Sequence, residues 1–141
     1  MSQEPVTSSA LEQARRSFEA ADSGDYGWMI SFYGPESVFD MAPWGLGTHV
    51  GLSAIQAFFE DWIGSFERFG MTAEEVVDLG SGVVFAVATQ VALPAGSHSP
   101  LRIHHAAVSV WEDGVISEVV NYPDIEAARA IAEQLAASRA E

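Results

Sequence analysis

The sequence of 141 residues contains no cysteine. Disulfides, thiolate nucleophiles and thiolate-bound metal centres are therefore excluded for this chain. Basic residues are also scarce, since 6 Lys+Arg stand against 20 Asp+Glu and give a formal net charge of -14. A surface with this charge repels phosphate backbones and anionic lipid head groups. We therefore expect no nucleic-acid partner and no electrostatic docking to a membrane.

Long hydrophobic runs and targeting signals are missing as well. No apolar stretch of the sequence approaches the roughly 20 residues that a membrane-spanning helix needs. The segment from Met1 to Ser9 has neither a basic part nor an apolar part, so it does not resemble a secretory signal. On these grounds we expect a cytoplasmic protein.

Material for a core is abundant. Hydrophobic residues make up 48% of the chain and include 4 Trp, 3 Tyr and 8 Phe, which exceeds what a minimal core needs and suits a lined cavity. A chain of this length is typical of one domain, which buries roughly 68–70% of its unfolded surface. We predict a single domain over residues 9–136, between a flexible tail of residues 1–8 and a C-terminal tail of residues 137–141.

Helical spacing of apolar residues marks the first half of the chain and its end. Ser9 and Glu12 form a capping box for the first helix, and Ser53 and Gln56 form another for the third. Glycines and an Asp N-cap supply the other boundaries. The predicted helices span residues 9–24, 25–33, 53–70 and 124–136.

The hydrophobic period changes from 3.6 to 2 after residue 70, which indicates strands. Asp113-Gly114 is a strong two-residue hairpin signal between the last two strands. Connections this short require an antiparallel meander. The predicted strands span residues 37–41, 72–79, 83–93, 101–111 and 115–122. The resulting order, ααβαββββα, is an α+β fold.

Three segments of this pattern stand out: Ser37-Val38-Phe39-Asp40, Gly51-Leu52-Ser53-Ala54-Ile55, and Trp111 to Ile116 leading to Asn121-Tyr122. With the element order, they resemble the SnoaL-like branch of the nuclear-transport-factor-two-like superfamily. The resemblance implies a cone-shaped, curved antiparallel sheet with helices packed over a central pocket. Relatives include ketosteroid isomerases, polyketide cyclases and dehydratases, beside non-catalytic binding proteins.

Asp40 is the leading catalytic candidate. It ends a short predicted strand between Phe39 and Met41, and a carboxylate among such apolar neighbours loses solvation and becomes a stronger base. The resemblance adds that ketosteroid isomerases place their proton-transferring Asp after a matching Val-x-Asp strand. The alternative is that Asp40 caps the following turn through the backbone.

His104 and His105 are adjacent on a predicted strand, so their side chains point to opposite faces. The pocket parity of the family, counted back from Asp113-Gly114, favours His104 and Arg102 for the pocket. His104 would act as an acid, a base or an orienting donor, unless it is a hydrogen-bonded histidine of the sheet. His105 is assigned to the outer face, where a homodimer would form through His105, Ala107, Ser109 and Trp111.

Asn121 is the third candidate, because the resemblance places it where relatives direct a residue into the cavity. Its amide would polarise a carbonyl or hold a water, unless it pairs with the sheet edge or caps near Asp124. A tyrosine hydroxyl would donate to an oxyanion, and we name Tyr26, leaving open whether Tyr26 or Tyr33 faces the pocket. The remaining ligand-pocket candidates are Tyr33, Trp28, Trp44, Trp62, Arg102 and Val119.

Neither a metal nor a cofactor is expected. His49 and His98 fall in predicted loops, and no Asp or Glu joins them at ligand spacing. Gly45-Leu46-Gly47 lacks the strand-turn-helix context of a phosphate-binding loop.

The sequence thus predicts a cofactor-independent general acid-base enzyme acting on a compact apolar substrate, of the isomerase, cyclase or dehydratase type. Asp40 would move the proton, while His104 and Asn121 would polarise or orient. Two alternatives are a non-catalytic domain that binds hydrophobic ligands and a purely structural dimerisation domain. Ala106 stands where ketosteroid isomerases have a second acidic residue, and Arg102-Ile103-His104 replaces the Arg-x-Asp pair of limonene epoxide hydrolases. Neither of those activities transfers intact.

Overall fold

The structure, a computed structural model, describes residues 9–141, so the predicted tail of residues 1–8 lies outside the described residues. The helices are α1 (Ala10–Ser23), α2 (Tyr26–Ile30), α3 (Leu52–Gly64) and α4 (Ile125–Arg139), with a 3-10 turn at Ala42–Trp44. The strands are β1 (Tyr33–Asp40), β2 (Thr48–Val50), β3 (Phe66–Gly80), β4 (Val83–Pro94), β5 (Leu101–Glu112) and β6 (Val115–Tyr122). Within residues 9–141, no helix is both long and apolar enough to cross a membrane.

The six strands form one sheet in the order β2-β1-β6-β5-β4-β3. The predicted antiparallel meander from β3 to β6 is confirmed, while β1 joins β6 in parallel and β2 pairs with β1 antiparallel. The register between β3 and β4 shifts at three places, and such bulges bend and twist a long strand pair. The sheet is therefore curved, which confirms the predicted α+β architecture.

Side-chain caps fix most of the helix starts where the sequence placed them. Ser9 Oγ accepts a hydrogen bond from the Glu12 amide at 3.2 Å, and Asp124 Oδ1 caps α4 in the same way at 3.0 Å. The third helix differs, because its N-cap is Gly51 at φ +91° and not Ser53. A backbone conformation open mainly to glycine, and not a capping box, starts α3.

Two predicted helix ends are wrong. The second helix stops at Ile30, since Tyr33 already belongs to β1. The third helix stops at Gly64, and Phe66 and Phe69 lie on β3, paired with Pro94 and Ala92 of β4. Their spacing fits a helical stripe because the rings continue an aromatic row from α3 across the junction. Pairing with the long strand β4 overrides that local pattern.

The convex face of the sheet is buried under α4. Valines and alanines of β4 and β5 pack there against Ala128, Ala132 and Ala136, whose small side chains let the helix approach closely. Arg129 of α4 also binds Glu75 of β3 with two hydrogen bonds of 2.7 and 3.2 Å, and this pairing lowers the pKa of the Glu75 carboxyl. α4 runs on to Arg139, past residue 136 where we expected the domain to end.

The concave face is covered by α1, α2 and α3. Alternation along β5 therefore decides which residues face the helices and which face α4. Even-numbered residues such as Ala106, Val108 and Val110 belong to the cluster under α4. Odd-numbered ones, with Ala107 and Trp111 among them, face α1. From His105 to Trp111 both faces of this strand are buried, which matters for the candidate site.

Candidate functional site

A cavity of about 140 Å³ lies between the concave face of the sheet and the three helices that cover it. Its floor is made of small side chains, Ala86, Ala107 and Ser109, which leave room above the strands. Aromatic side chains form the walls: Phe39, Trp44, Phe58, Phe59, Trp62 and Trp111. Small residues on the floor and large rings around it create an apolar hollow.

Among residues 9–141, a few polar side chains reach this hollow. They are Ser17, Tyr33, Gln90, His105, Ser109 and Asn121. No lining residue within the described chain is an Asp, Glu, Lys or Arg. An ion in such a hollow would lose its hydration without gaining a counter-charge, which costs several kcal/mol or more. The cavity is therefore suited to an uncharged ligand.

His105 lies on the cavity side of β5 and is only 4% exposed. Trp62 Nε1 donates to Gln90 Oε1 at 3.0 Å, and Gln90 Nε2 lies 3.1 Å from His105 Nε2. Because an indole N–H only donates, the Gln90 oxygen must face Trp62 and its amide nitrogen must donate to His105. This network assigns the imidazole proton to Nδ1.

Burial lowers the pKa of His105 to about 4, and the neighbouring His104 adds to the shift, while a backbone hydrogen bond with Ala106 opposes it. The imidazole is therefore neutral at pH 7. The chain Trp62–Gln90–His105 also joins α3 to β4 and β5 across one wall of the cavity. The same residues thus line the cavity and hold its cover to the sheet.

The prediction that His104 faces the pocket is wrong. His104 is 56% exposed on the opposite side of β5, where its Nε2 lies 2.9 Å from Glu74 Oε1. Arg102 shares that side and is exposed. Hydrophobicity does not distinguish the two faces from Ala106 to Trp111, because both are buried there. Alternation along β5 is regular from His105 to Trp111, so the error lay in which of the two faces was assigned to the pocket.

The homodimer surface assigned from the sequence is wrong for the same reason. Its four residues, His105, Ala107, Ser109 and Trp111, all line the cavity. They are therefore unavailable for contact with a second copy. The opposite face of β4 and β5 is covered by α4.

Asp40 does not line the cavity, although its neighbours Phe39 and Met41 do. Its Oδ1 accepts hydrogen bonds from the Ala42 amide at 2.8 Å and from Thr48 Oγ1 at 3.0 Å. The charge of Asp40 also contributes to the raised pKa of Tyr122, behind the effect of burial. Tyr122 packs against the cluster under α4, so this carboxylate lies toward the convex side. The turn-capping alternative describes Asp40, and the dry environment that a catalytic base would need is absent.

Of the two candidate tyrosines, Tyr33 lines the cavity and Tyr26 does not. Tyr33 lies edge-on to Phe39 and Phe59, and burial raises the pKa of its hydroxyl. Tyr26 instead packs in the cluster between α1, α2 and α3. Tyr33 is the first residue of β1, which starts earlier than predicted.

Asn121 is 6% exposed and lines the cavity, as expected for this position of β6. Its Nδ2 is a buried donor without a hydrogen-bond partner among the residues that the structure describes. Buried polar groups in folded proteins are nearly always paired, so this amide marks a place where an acceptor belongs. Across β6 and β5, Asn121 is aligned with Ala107.

Some of the remaining pocket candidates line the cavity and others do not. Trp44, Trp62 and Val119 line the cavity, whereas Trp28 is 38% exposed and lies outside it. Sequence reasoning missed Gln90. Its signal was present, because a lone glutamine among the apolar residues of β4 shares the parity of Val84 and Ala86. In residues 9–141, no three His, Asp or Glu side chains are grouped so that they could hold a metal ion.

Comparisons with known proteins agree with this geometry. The SnoaL-like domain family matches residues 14–119. A search of curated proteins finds no match. Among solved structures, a protein with a ketosteroid isomerase-like fold from Catenulispora acidiphila, in complex with trimethylamine, has a TM-score of 0.71 at 13% identity. That alignment covers 79% of this chain and 84% of the other.

Two further structures have the same fold. An NTF2-like protein of unknown function from Burkholderia pseudomallei has a TM-score of 0.71 at 18% identity, covering 86% of this chain and 95% of its own. TerC, co-crystallised with polyporic acid, has a TM-score of 0.69 at 16% identity, covering 88% of this chain and 98% of its own. Identities this low establish the fold alone. The family match spans more than half of the 141 residues, and the chain belongs to the SnoaL-like domain family.

Proposed function

We propose that the protein binds a small, uncharged, largely apolar molecule that carries one hydrogen-bond acceptor, such as the carbonyl oxygen of a ketone or quinone. The observation that carries this proposal is Asn121, which lines an otherwise apolar cavity and whose buried Nδ2 has no hydrogen-bond partner among the described residues. An unsatisfied buried donor costs roughly 1–3 kcal/mol. A turn of the Asn121 amide toward the cavity would let a ligand carbonyl accept from Nδ2 and remove that cost, so binding would gain a directional contact as well as apolar burial.

The size of the cavity supports a compact ligand. Its volume is about 140 Å³, close to the roughly 150 Å³ of an engineered apolar cavity that binds benzene. A single ring with a short substituent fits this space better than a polycyclic molecule. Tyr33 provides a second hydroxyl donor or acceptor at the wall.

Two structural relatives contain small-molecule ligands of different chemistry. TerC was co-crystallised with polyporic acid, and the Catenulispora acidiphila protein is in complex with trimethylamine. A cationic amine would suit the aromatic walls through cation-π contacts, but it offers no acceptor to Asn121. The unpaired side-chain amide of Asn121 therefore favours a neutral carbonyl compound over an alkylammonium ion.

A second candidate function is general acid-base catalysis on the bound carbonyl compound, of the isomerase, cyclase or dehydratase type. It is favoured by the position of His105, which lies two residues from Ala107 on the cavity side and diagonal to Asn121, at roughly 7–8 Å between backbones. Burial keeps this imidazole neutral. Its Nε2 would accept a proton from carbon once the Gln90 amide moves aside, while Asn121 and Tyr33 donate to the developing oxyanion.

Turnover assays separate the two candidates. If the protein converts a ketone by this route, His105→Gln abolishes turnover, whereas Asp40→Asn retains it because Asp40 lies outside the cavity. Loss of turnover in Asp40→Asn alone would contradict this assignment. If the wild-type protein binds the ketone but does not convert it, the function is binding and not catalysis.

Asn121→Leu tests the proposed binding function. Leucine has a similar size and no donor, so we expect a higher free energy of unfolding and roughly tenfold weaker binding of acetophenone. Both effects follow from one amide that is unpaired in the free protein and paired in the complex. The measurements are chemical denaturation and titration of tryptophan fluorescence, since Trp44, Trp62 and Trp111 line the cavity.

The matched ligand control is α-methylstyrene, which has the shape of acetophenone without its oxygen. Its affinity should not fall in Asn121→Leu. Equal weakening of both ligands would show that Asn121 acts through the shape of the cavity and not through a hydrogen bond. Tighter binding of tetramethylammonium than of acetophenone by wild type would contradict the preference for a neutral acceptor.

A further inference from the structure

Residues 41–47, here named the mouth loop, connect β1 to β2 at the border between the cavity and solvent. Three of its side chains, Met41, Trp44 and Leu46, line the cavity. Leu46 is nevertheless exposed and Trp44 only half-buried, so these two stand between the hollow and bulk water. A ligand that enters or leaves on this side must pass them.

The mouth loop is closed on itself by backbone hydrogen bonds. The Met41 amide donates to the Gly47 carbonyl at 2.8 Å, and the Leu46 amide donates to the Met41 carbonyl at 3.1 Å. A further tether comes from His49, whose Nε2 donates to the Leu46 carbonyl at 3.1 Å while its ring lies on Phe58. The loop therefore has a defined shape, yet most of its surface is exposed.

Asp40 holds both ends of the mouth loop together. Its Oδ1 accepts from the Ala42 amide, just inside the start of the loop, and from the Thr48 hydroxyl, just after its end. Asp40 and Thr48 are also directly aligned in the pairing of β1 with β2. One carboxylate oxygen thus bridges the two strands at the point where the loop leaves the sheet.

We propose that Asp40 is a positioning residue that keeps the mouth loop closed over the cavity and thereby sets the rate at which ligand leaves. This proposal rests on the proposed binding function. The Asp40 contacts fix the loop ends, the loop carries Trp44 and Leu46, and those side chains cover the entrance. Asp40 acts on the ligand only through the loop, because its own side chain lies outside the cavity.

The test compares Asp40→Ala, Asp40→Asn and Thr48→Val with wild type. Alanine removes both hydrogen bonds of the clamp, valine removes one, and asparagine keeps an oxygen that accepts both. Two readouts are measured: hydrogen exchange of the Ala42 and Leu46 amides, and the dissociation rate of acetophenone by stopped-flow tryptophan fluorescence. Thermal unfolding is recorded as the control for general stability.

In Asp40→Ala we expect roughly tenfold faster amide exchange in the mouth loop and a comparable rise in the dissociation rate, as the loss of two hydrogen bonds predicts. Thr48→Val should fall between Asp40→Ala and wild type. Asp40→Asn should stay within about twofold of wild type, since a neutral amide oxygen still accepts. A general loss of stability would instead speed exchange in every strand and would not be rescued by asparagine.

Other outcomes overturn the proposal. Unchanged loop exchange in Asp40→Ala would show that the clamp does not hold the loop, and faster exchange with an unchanged dissociation rate would show that the loop does not cover the exit. An Asp40→Asn variant as impaired as Asp40→Ala would assign the effect to charge and not to position. If wild type binds no acetophenone, the binding function fails, and with it control of ligand exit, while loop exchange still decides whether Asp40 is a clamp.

Discussion

Ala107→Leu should abolish ligand binding without unfolding the protein. The side chain of Ala107 forms the middle of the cavity floor, between His105 and Ser109 on the same strand and opposite Asn121. An isobutyl group at this point occupies the space that the ligand would take. We expect the affinity for acetophenone to fall by at least about 100-fold, because the ligand must then distort the walls to enter.

The free energy of unfolding should change little in Ala107→Leu, or rise by about 1 kcal/mol, since the new side chain fills an existing hollow. Ala106→Leu is the matched control. Ala106 is the adjacent alanine on β5, fully buried on the opposite face, where it packs in the cluster under α4. Overpacking there should cost about 1–3 kcal/mol of stability.

The contrast between the two alanines is measured by chemical denaturation and by fluorescence titration. If Ala107→Leu loses as much stability as Ala106→Leu, the concave face is solid and the ligand-binding proposal fails. If Ala107→Leu keeps full affinity for acetophenone, the ligand binds elsewhere. The expected result is a stable variant that does not bind, beside a destabilised variant that does.

Much of the fold follows from local features of the sequence. The caps at Ser9 and Asp124 start α1 and α4, and the Asp113-Gly114 turn joins β5 and β6, because each depends on a few adjacent residues. The antiparallel meander then follows from short connections. β2 escaped prediction since three residues cannot show a periodic pattern.

The candidate site was less predictable because it depends on which face of a strand is inside. From Ala106 to Trp111 both faces of β5 are buried, so alternation there identifies two sets of residues without saying which set meets the cavity. The correct histidine, His105, is distinguished only by partners on other elements, Gln90 on β4 and Trp62 on α3. Those contacts are long-range, and one sequence does not reveal them.

Asp40 illustrates a different limit. The Val-x-Asp pattern at the end of β1 was read through a family resemblance as a catalytic site, yet Phe39 and Met41 take the cavity positions. Alternation then directs Asp40 away from the cavity, where Ala42 and Thr48 bind its carboxylate. The same residue type in the same motif therefore serves a turn here, because a carboxylate binds whichever donors the local backbone places beside it.

The stability of the protein should depend on pH through His105. Burial lowers the pKa of His105 to about 4, whereas an unfolded histidine titrates near 6.5. As pH falls below about 6.5 the unfolded chain takes up the proton first, so stability is complete above that pH and is lost progressively down to about pH 4. Between pH 7 and pH 5 this single group should remove about 2 kcal/mol from the free energy of unfolding.

The hydrogen-bond network explains why protonation of His105 is unfavourable in the folded protein. A protonated His105 presents N–H at Nε2, where Gln90 already presents its own N–H. Turning the Gln90 amide would satisfy the imidazolium, but it would then direct the amide nitrogen at the Trp62 N–H. Either orientation leaves two donors facing each other, which adds to the cost of desolvating the charge.

Chemical denaturation of wild type and His105→Gln at pH 7 and pH 5 measures this contribution. The interval from pH 7 to pH 5 lies above the range where most carboxylates take up protons. The other three histidines are common to both proteins. The difference between the pH dependences of wild type and His105→Gln therefore isolates the contribution of His105. His105→Gln should lose about 2 kcal/mol less than wild type over this interval. Trp62→Phe should lose an intermediate amount, because Gln90 is then free to turn its oxygen toward a protonated imidazole. If wild type and His105→Gln lose the same free energy of unfolding between pH 7 and pH 5, His105 is hydrated and lies outside the enclosed hollow. That result would contradict both the hydrogen-bond network and the cavity.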